Sequence, residues 1–345
     1  MTEPVEIVNN GTALRLHDAH GPGVTITLHR TLRIPDDGRA YPLPPSLGAF
    51  PLRRVRDYAS RVPDGWAARG GVFLPMYQRE AMWLAFDGAS HALKIATGKV
   101  CAISGERWSE GLRAHPQNYV VVGHQPWLDG IASGKGTIRQ FVAMPLGLGY
   151  TVEGQVTGEE KHGGLQLQSY PAKPGRIPAS DEDDCACDDE AGELAMSMLC
   201  EAEASPVRRS RGGAMGLAAG GKMKQKIYPD PFGLETWDTA ARTRVFVHLV
   251  NSELWREITG EAPPPSPVTA RSYAEAGLPW FELYDEGAAT LAPTSTLSGV
   301  KSVKQLDASK STLPLQDDAP IAAPKVKKLW WKHHPGAVVV DDGDW

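Results

Sequence analysis

The sequence predicts a mainly β protein, with a sandwich-like or distorted-barrel body built from two β-rich blocks. Three observations carry the prediction. Short apolar or alternating runs follow one another from about Val72 to Tyr170 and again from about Lys222 to Gly260, each closed by a Gly-containing turn. The 345 residues include 36 Gly and 28 Pro, a usage that suits many turns and some unstructured chain. Helical spacing of apolar residues is almost absent from the first block. Along the chain this gives a polar leader (1–20), a first β-rich block (21–178), a charge-segregated insertion (179–221), a second β-rich block packed on the first (222–289), a disordered linker (290–324) and a basic, aromatic tail (325–345).

Gly23 to Ile34 opens the first block as a half-buried strand, with Val24, Ile26 and Leu28 on one side of the pleat and Thr25, Thr27 and His29 on the other. Pro42, Pro44 and Pro45 cannot donate to a ladder, so the connection after it is a loop or an edge. A turn of helix is expected near Arg53–Ser60. Val72–Phe86 and His91–Ile103 read as adjacent strands, the second broken into a tight hairpin at Thr97-Gly98. Further strands are expected at Tyr119–Val122, Ile138–Met144, Tyr150–Val156 and Leu165–Tyr170.

Ile103-Ser104-Gly105-Glu106, Val156-Thr157-Gly158-Glu159 and Ile258-Thr259-Gly260-Glu261 share one pattern: aliphatic, hydroxyl, Gly, Glu. A Gly that accepts positive φ and a hydroxyl that bonds locally make a good turn, and the irregular spacing argues against a true repeat.

The insertion separates its charges. Ten acidic residues and no Lys or Arg lie between Asp181 and Glu203, after which six basic residues from Arg208 to Lys226 come with no acid between them. Ala191, Leu194, Ala195, Met198, Leu199 and Ala202 fall at helical spacing, so a short amphipathic helix is expected there. The Gly-rich run 212–221 reads as a flexible connector. A phosphate-loop reading fails, because Gly220-Gly221-Lys222-Met223 lacks the Ser/Thr for magnesium and leads into a strand-like run.

In the second block Lys222–Tyr228 and the first half of Thr243–Ile258 alternate as strands, with the later half coiling into a turn. Trp280, Phe281 and Tyr284 of Ala270–Glu286 are expected to dock on the core. From Thr290 to Ile321 apolar content is low, hence the linker. The tail then carries Trp330 and Trp331 between lysines.

The totals exclude several classes. A net charge of −5 argues against a general nucleic-acid binder. No run approaches the roughly 18 apolar residues of a membrane helix, so no integral membrane segment is expected. Four cysteines, unevenly placed, do not make a disulfide scaffold, and with a start that is neither basic nor apolar the expectation is a cytoplasmic protein.

No motif for hydrolysis is present, neither G-x-S-x-G nor H-E-x-x-H, and Cys101 sits in an apolar strand. The best enzyme constellation is His124 with Asp129 beside Trp127 in GHQPWLDG, plus His248 and Glu253; these groups fit a ligand pocket or well-capped turns alike. His17 and His20 flank Asp18, and Cys185 pairs with Cys187, as weak metal candidates. Each set lacks further ligands at matched spacing, so no metal and no cofactor is expected. Lys222, Lys224 and Lys226 project to one face opposite Met223, Gln225 and Ile227, suited to a phosphate, a polyanion or the acidic segment 181–203 of the same chain.

Trp330 and Trp331 suit either a protein partner or a clasp back onto their own domain. The leading functional expectation is a non-enzymatic binding or assembly protein. A small-molecule enzyme, possibly hydrolytic, around His124, Asp129 and His248 is the first alternative, and it requires the three side chains to meet in one hydrogen-bond network. Polyanion binding through the three lysines and the tail is the second.

Overall fold

The computed structural model describes residues 4–18, 23–177, 213–284, 289–310, 318–321 and 325–330. The strands are β1 (Val5–Val8), β2 (Ala13–Leu16), β3 (Val24–Thr31), β4 (Ala40–Tyr41), β5 (Ser46–Ala49), β6 (Arg53–Arg54), β7 (Val72–Met76), β8 (Ala81–Gly88), β9 (His91–Thr97), β10 (Val100–Cys101), β11 (Val120–Val121), β12 (Trp127–Leu128), β13 (Gly130–Gly134), β14 (Thr137–Pro145), β15 (Leu165–Pro171), β16 (Ala214–Lys224), β17 (Thr243–Asn251), β18 (Trp280–Tyr284) and β19 (Val326–Trp330). The helices are short: α1 (Asp64–Arg69), α2 (Val152–Thr157), α3 (Ser252–Thr259), α4 (Ala270–Glu275), α5 (Ser295–Ser298) and α6 (Val303–Ser309).

Seventeen strands join one sheet. Its spine runs β1–β2–β3–β8–β14–β16–β17–β15–β9–β11, antiparallel at every step. Only β4 on β16 and β7 on β17 pair in parallel within it. The sheet does not close into a barrel. Val24, Ile26 and Leu28 of β3 and Met82, Leu84 and Phe86 of β8 share one apolar cluster with Leu93 and Ile95 of β9 and Leu165 and Leu167 of β15. Strands from opposite ends of the spine thus face each other across one core, in a sandwich-like way. Burying each such side chain fully contributes about 1.5–3 kcal/mol.

Several strands are buried on both faces, because smaller clusters cover the outer sides. Phe73 and Val250 meet Trp66 and Trp255 of α1 and α3; Ala81, Val142 and Met144 meet Val303 and Leu306 of α6; Ala92 and Tyr170 meet Tyr119 and Trp237. Between Arg139 and Phe141 the register shifts, two steps along β14 matching three along β16 from Lys222 to Ala219, so the extra residue of this bulge lies in the glycine pair of β16.

The structure differs from the sequence reading at five places. First, β8 and β9 follow one another but do not pair: β8 joins β3, β12 and β14, and β9 joins β10, β11 and β15. Second, Tyr150–Val156 is not a strand. Thr151 caps α2 by accepting from Gly154 N at 3.0 Å, and Gly158, at φ +78°, ends it. Third, the Gly-rich connector is most of β16. Its glycines admit close neighbours, since a Cβ on Gly216 would stand 2.8 Å from Leu146 and Thr151 side-chain carbons, and one on Gly221 would stand 2.5 Å from the Pro35 carbonyl oxygen.

Fourth, the polar leader contains the antiparallel pair β1 and β2, and Leu14 and Leu16 are core residues. Fifth, within the span expected to be a linker, α5 and α6 dock on the body with Leu297, Val300, Val303 and Leu306 buried. The hairpin at Thr97-Gly98 is present, with Thr97 opposite Val100. The expected helix at 191–202 lies outside the described residues.

Candidate functional site

The largest convergence of sequence-predicted binding residues is a cleft of about 220 Å³ where the end of β16 and the chain after it run beside β12. Trp127, Tyr228, Lys224, Lys226, Gln125 and Gln225 line it, with Glu282 of β18 at its edge. Alternation beyond β16 is as expected from the sequence: Met223, Gln225 and Ile227 are buried, while Lys224 is exposed and Lys222 and Lys226 are half-buried.

Three buried glutamines hold the strand-like segment 225–230 against 117–129, doing with side-chain amides what a ladder does with backbone. Gln225 accepts from Asp129 N at 3.1 Å and donates to Asp129 Oδ2 at 2.7 Å. Gln125 donates to the carbonyls of Trp127 (3.0 Å) and Lys226 (3.2 Å) and accepts from Tyr228 N at 3.1 Å. Gln117 accepts from Asp230 N at 2.9 Å and donates to Tyr119 O at 2.9 Å. Each amide is bonded at both ends, so the Lys226 carbonyl and the N–H groups of Tyr228 and Asp230 are satisfied as the chain leaves β16, and Lys224, Lys226 and Tyr228 are presented beside Trp127.

Among the described residues the cleft is lined by two ammonium groups, Lys224 and Lys226, and one carboxylate, Glu282. Lys224 Nζ pairs with Glu282 Oε1 at 3.3 Å, both side chains well exposed, an ion pair that contributes little to stability and exchanges readily for another anion. Behind the wall, Asp129 is 2% exposed and its neighbours are uncharged; burial pushes its carboxyl up to about 7, opposed by the Gln225 hydrogen bond. Aromatic walls, amides and two ammonium groups suit a small ligand with a flat ring and a negative group.

The enzyme constellation does not assemble. Asp129 is bonded to Gln225, whereas His248 Nε2 bonds the Gly70 carbonyl at 3.0 Å and its ring stacks on Trp66 at 4.7 Å. Burial lowers the His248 pKa to about 4, so it is a neutral packing residue at ordinary pH. His124 packs edge-on against Phe232 at 5.2 Å. Glu253 is an exposed first-turn residue of α3, where Asn251 caps its N–H at 2.9 Å.

Of the metal candidates only His17, with Asp18 beside it, falls among the described residues. His17 bonds Glu6 at 3.1 Å, and Asp18 bonds the buried His91 at 2.7 Å instead of joining His17. No group of three or more His, Cys, Asp or Glu is placed to hold a metal among the described residues. His20, Cys185, Cys187 and Trp331 lie outside the described residues. Trp330 is the last residue of β19, whose backbone pairs in parallel with β18 of the same chain.

Sequence reasoning missed Gln125, Gln225, Tyr228 and Glu282. Gln225 had a signal, an amide set between Met223 and Ile227 in the buried phase of a strand-like run, whereas Gln125 lies in the turn between β11 and β12 and had none. Glu282 had none, being 58 residues from its partner Lys224. No family model, curated protein or solved structure matches the chain. No helix among the described residues is long and apolar enough to cross a membrane.

Proposed function

We propose that this is a non-enzymatic, cytosolic binding protein that takes a small ligand, a flat ring bearing a carboxylate or phosphate, in the cleft between Trp127 and Tyr228. The observation that carries the reading is the convergence of Trp127 with Lys224 and Lys226, about a hundred residues apart in sequence, on one concave site backed by buried amides. The ring stacks between aromatic walls, and the anionic group replaces Glu282 on Lys224. The separate partners of Asp129 and His248 count against a hydrolytic centre.

The pairing of β19 with β18 supports the clasp reading of 326–330 over a partner-binding one. It also places that strand beside the one carrying Glu282.

The test is a titration followed by thermal unfolding and tryptophan fluorescence, with benzoate and phenyl phosphate as probes and benzyl alcohol as the uncharged control. Saturable stabilisation by the two anions, reduced tenfold or more in affinity in Trp127→Ala and in the Lys224→Ala/Lys226→Ala pair but kept in Lys135→Ala, is the expected result. Stabilisation that is absent, or that survives both cleft variants, overturns the reading. Retention on heparin that collapses with salt would instead favour the polyanion alternative.

A further inference from the structure

A second polar site lies away from the cleft, on the outer face of the sheet formed by β9, β15 and β17. Lys94 of β9 stands opposite Gln168 of β15, which in turn stands opposite Arg244 of β17, so the three share one row of one face. The chain from Glu106 to Arg113 covers this row. Lys94 is 1% exposed and Gln168 is 0% exposed.

Lys94 donates to the carbonyls of Ser109 at 2.5 Å and Gly111 at 2.6 Å, and its Nζ sits 4.6 Å from the centre of the Trp108 ring. An ammonium has three N–H groups, and the protein satisfies two. No carboxylate among the described residues is within ion-pairing reach of it. The acids on the covering chain are engaged elsewhere, Glu106 with Arg113 at 2.8 Å and Glu110 with Arg242 at 2.8 Å and Arg244 at 3.6 Å.

A buried cation without a counter-charge is costly, and burial holds the Lys94 pKa below its usual value. Loss of the proton would remove the charge but leave the rest unexplained. Both amide atoms of Gln168 and the indole nitrogen of Trp108 are buried with no hydrogen-bond partner. Native proteins seldom leave a wholly buried amide unbonded at both ends. The unmet groups are mainly donors: an ammonium N–H, the amide NH2 and an indole N–H.

We propose that Lys94, Gln168 and Trp108 form a closed binding site for one small monovalent anion, a halide or a short carboxylate such as formate, beneath the covering segment 106–113. The anion supplies the missing charge to Lys94 and accepts from the Gln168 amide. Entry requires the cover to lift, which breaks the Lys94 bonds to Ser109 and Gly111 and the Gly111 N–H bond to the Tyr170 hydroxyl along with the exposed, salt-screened pair of Glu110 with Arg242.

The decisive experiment is diffraction at the bromine edge from crystals of the full chain grown in sodium bromide. An anomalous peak within hydrogen-bond distance of Lys94 Nζ and Gln168 is expected. In solution, bromide and formate, at ionic strength held constant with gluconate, are each expected to raise Tm saturably, by about 2–4 °C at ten times the dissociation constant. The two arms separate a halide site from a carboxylate site. Gln168→Leu, which keeps shape and removes the amide, is expected to weaken binding at least tenfold, and Lys94→Met to abolish it. Ordinary water density at that position, or an anion-dependent rise that persists in Gln168→Leu, overturns the proposal; the crystal measurement stands even if Lys94→Met does not fold.

Discussion

Asp129 and His248 are both buried beside uncharged partners, and burial moves them in opposite directions on the pH scale. The folded Asp129 holds its proton to about pH 7, while an unfolded aspartate releases it near 3.8, so the native state binds more protons between those values and stability falls as pH rises through them. Asp129→Asn keeps an acceptor for Gln225 and removes the ionisation. Its stability relative to the parent is expected to rise by about 2–4 kcal/mol between pH 4.5 and pH 8, read from urea unfolding at both values. A flat difference would show that the carboxyl ionises without penalty.

His248 behaves conversely: neutral in the fold down to about pH 4 but protonated near 6.5 when unfolded, it makes stability fall as pH drops through that window. His248→Phe is expected to lose about 1 kcal/mol at pH 7.5, where the Gly70 hydrogen bond is missed, and to close that gap or reverse it at pH 5. A gap that widens at pH 5 would contradict a neutral buried imidazole.

Among elements, the three hydroxyl-Gly-Glu turns were the most legible in sequence. In each the hydroxyl accepts from the Glu backbone N–H two residues on, at 3.3 Å for Ser104, 3.2 Å for Thr157 and 3.1 Å for Thr259, and each Gly has φ between +71° and +79°. Their setting was less legible, since the second and third end helices α2 and α3 instead of strands. Strand β16 was misread because glycine marks both flexible chain and close approach, and only the neighbours distinguish them. Gly221→Ala, with its Cβ pressed on Pro35 O, is expected to cost about 1–3 kcal/mol, whereas a real connector would tolerate alanine or gain from it. Chemical denaturation of the single variant decides between the two. For α2, Thr151→Ala removes the cap and a 2.6 Å bond to Glu160, an expected loss of about 1–2 kcal/mol on the same assay.

At the scale of the whole molecule, described residues of the C-terminal third tie to the β3–β8–β14 layer through buried charges. Arg79 makes two bonds of 2.9 Å to Asp307, which also accepts from Tyr150 at 2.7 Å; Arg33 pairs with Asp318; and Arg30, bonded to Glu80 at 2.7 Å, reaches the Pro265 carbonyl at 2.6 Å. Removing one partner leaves a charge in low dielectric, so Asp307→Ala is expected to cost about 3 kcal/mol and to open 289–310 to limited proteolysis. Replacing both ends, Arg79→Met with Asp307→Leu, is expected to restore at least half of that loss. Equal loss in both proteins would mean the pair itself, and not the stranded charge, holds that segment. None of this was readable beforehand, because Asp307 and Arg79 are 228 positions apart and the local composition of 290–321 is polar.

By itself the sequence determined the local terms: which runs alternate, where glycine turns the chain, and that Val24, Ile26 and Leu28 face a core opposite Thr25 and Thr27. Those depend on period and on backbone sterics, which act within a few residues. Tertiary structure alone decided which strands pair, that β8 and β9 part company, that β16 is a strand, and that Trp127, Lys224 and Glu282 share a cleft while Asp129 and His248 do not meet. These rest on cross-chain packing and on the pairing of distant charges and amides, energies that arise only when segments a hundred residues apart are brought into contact.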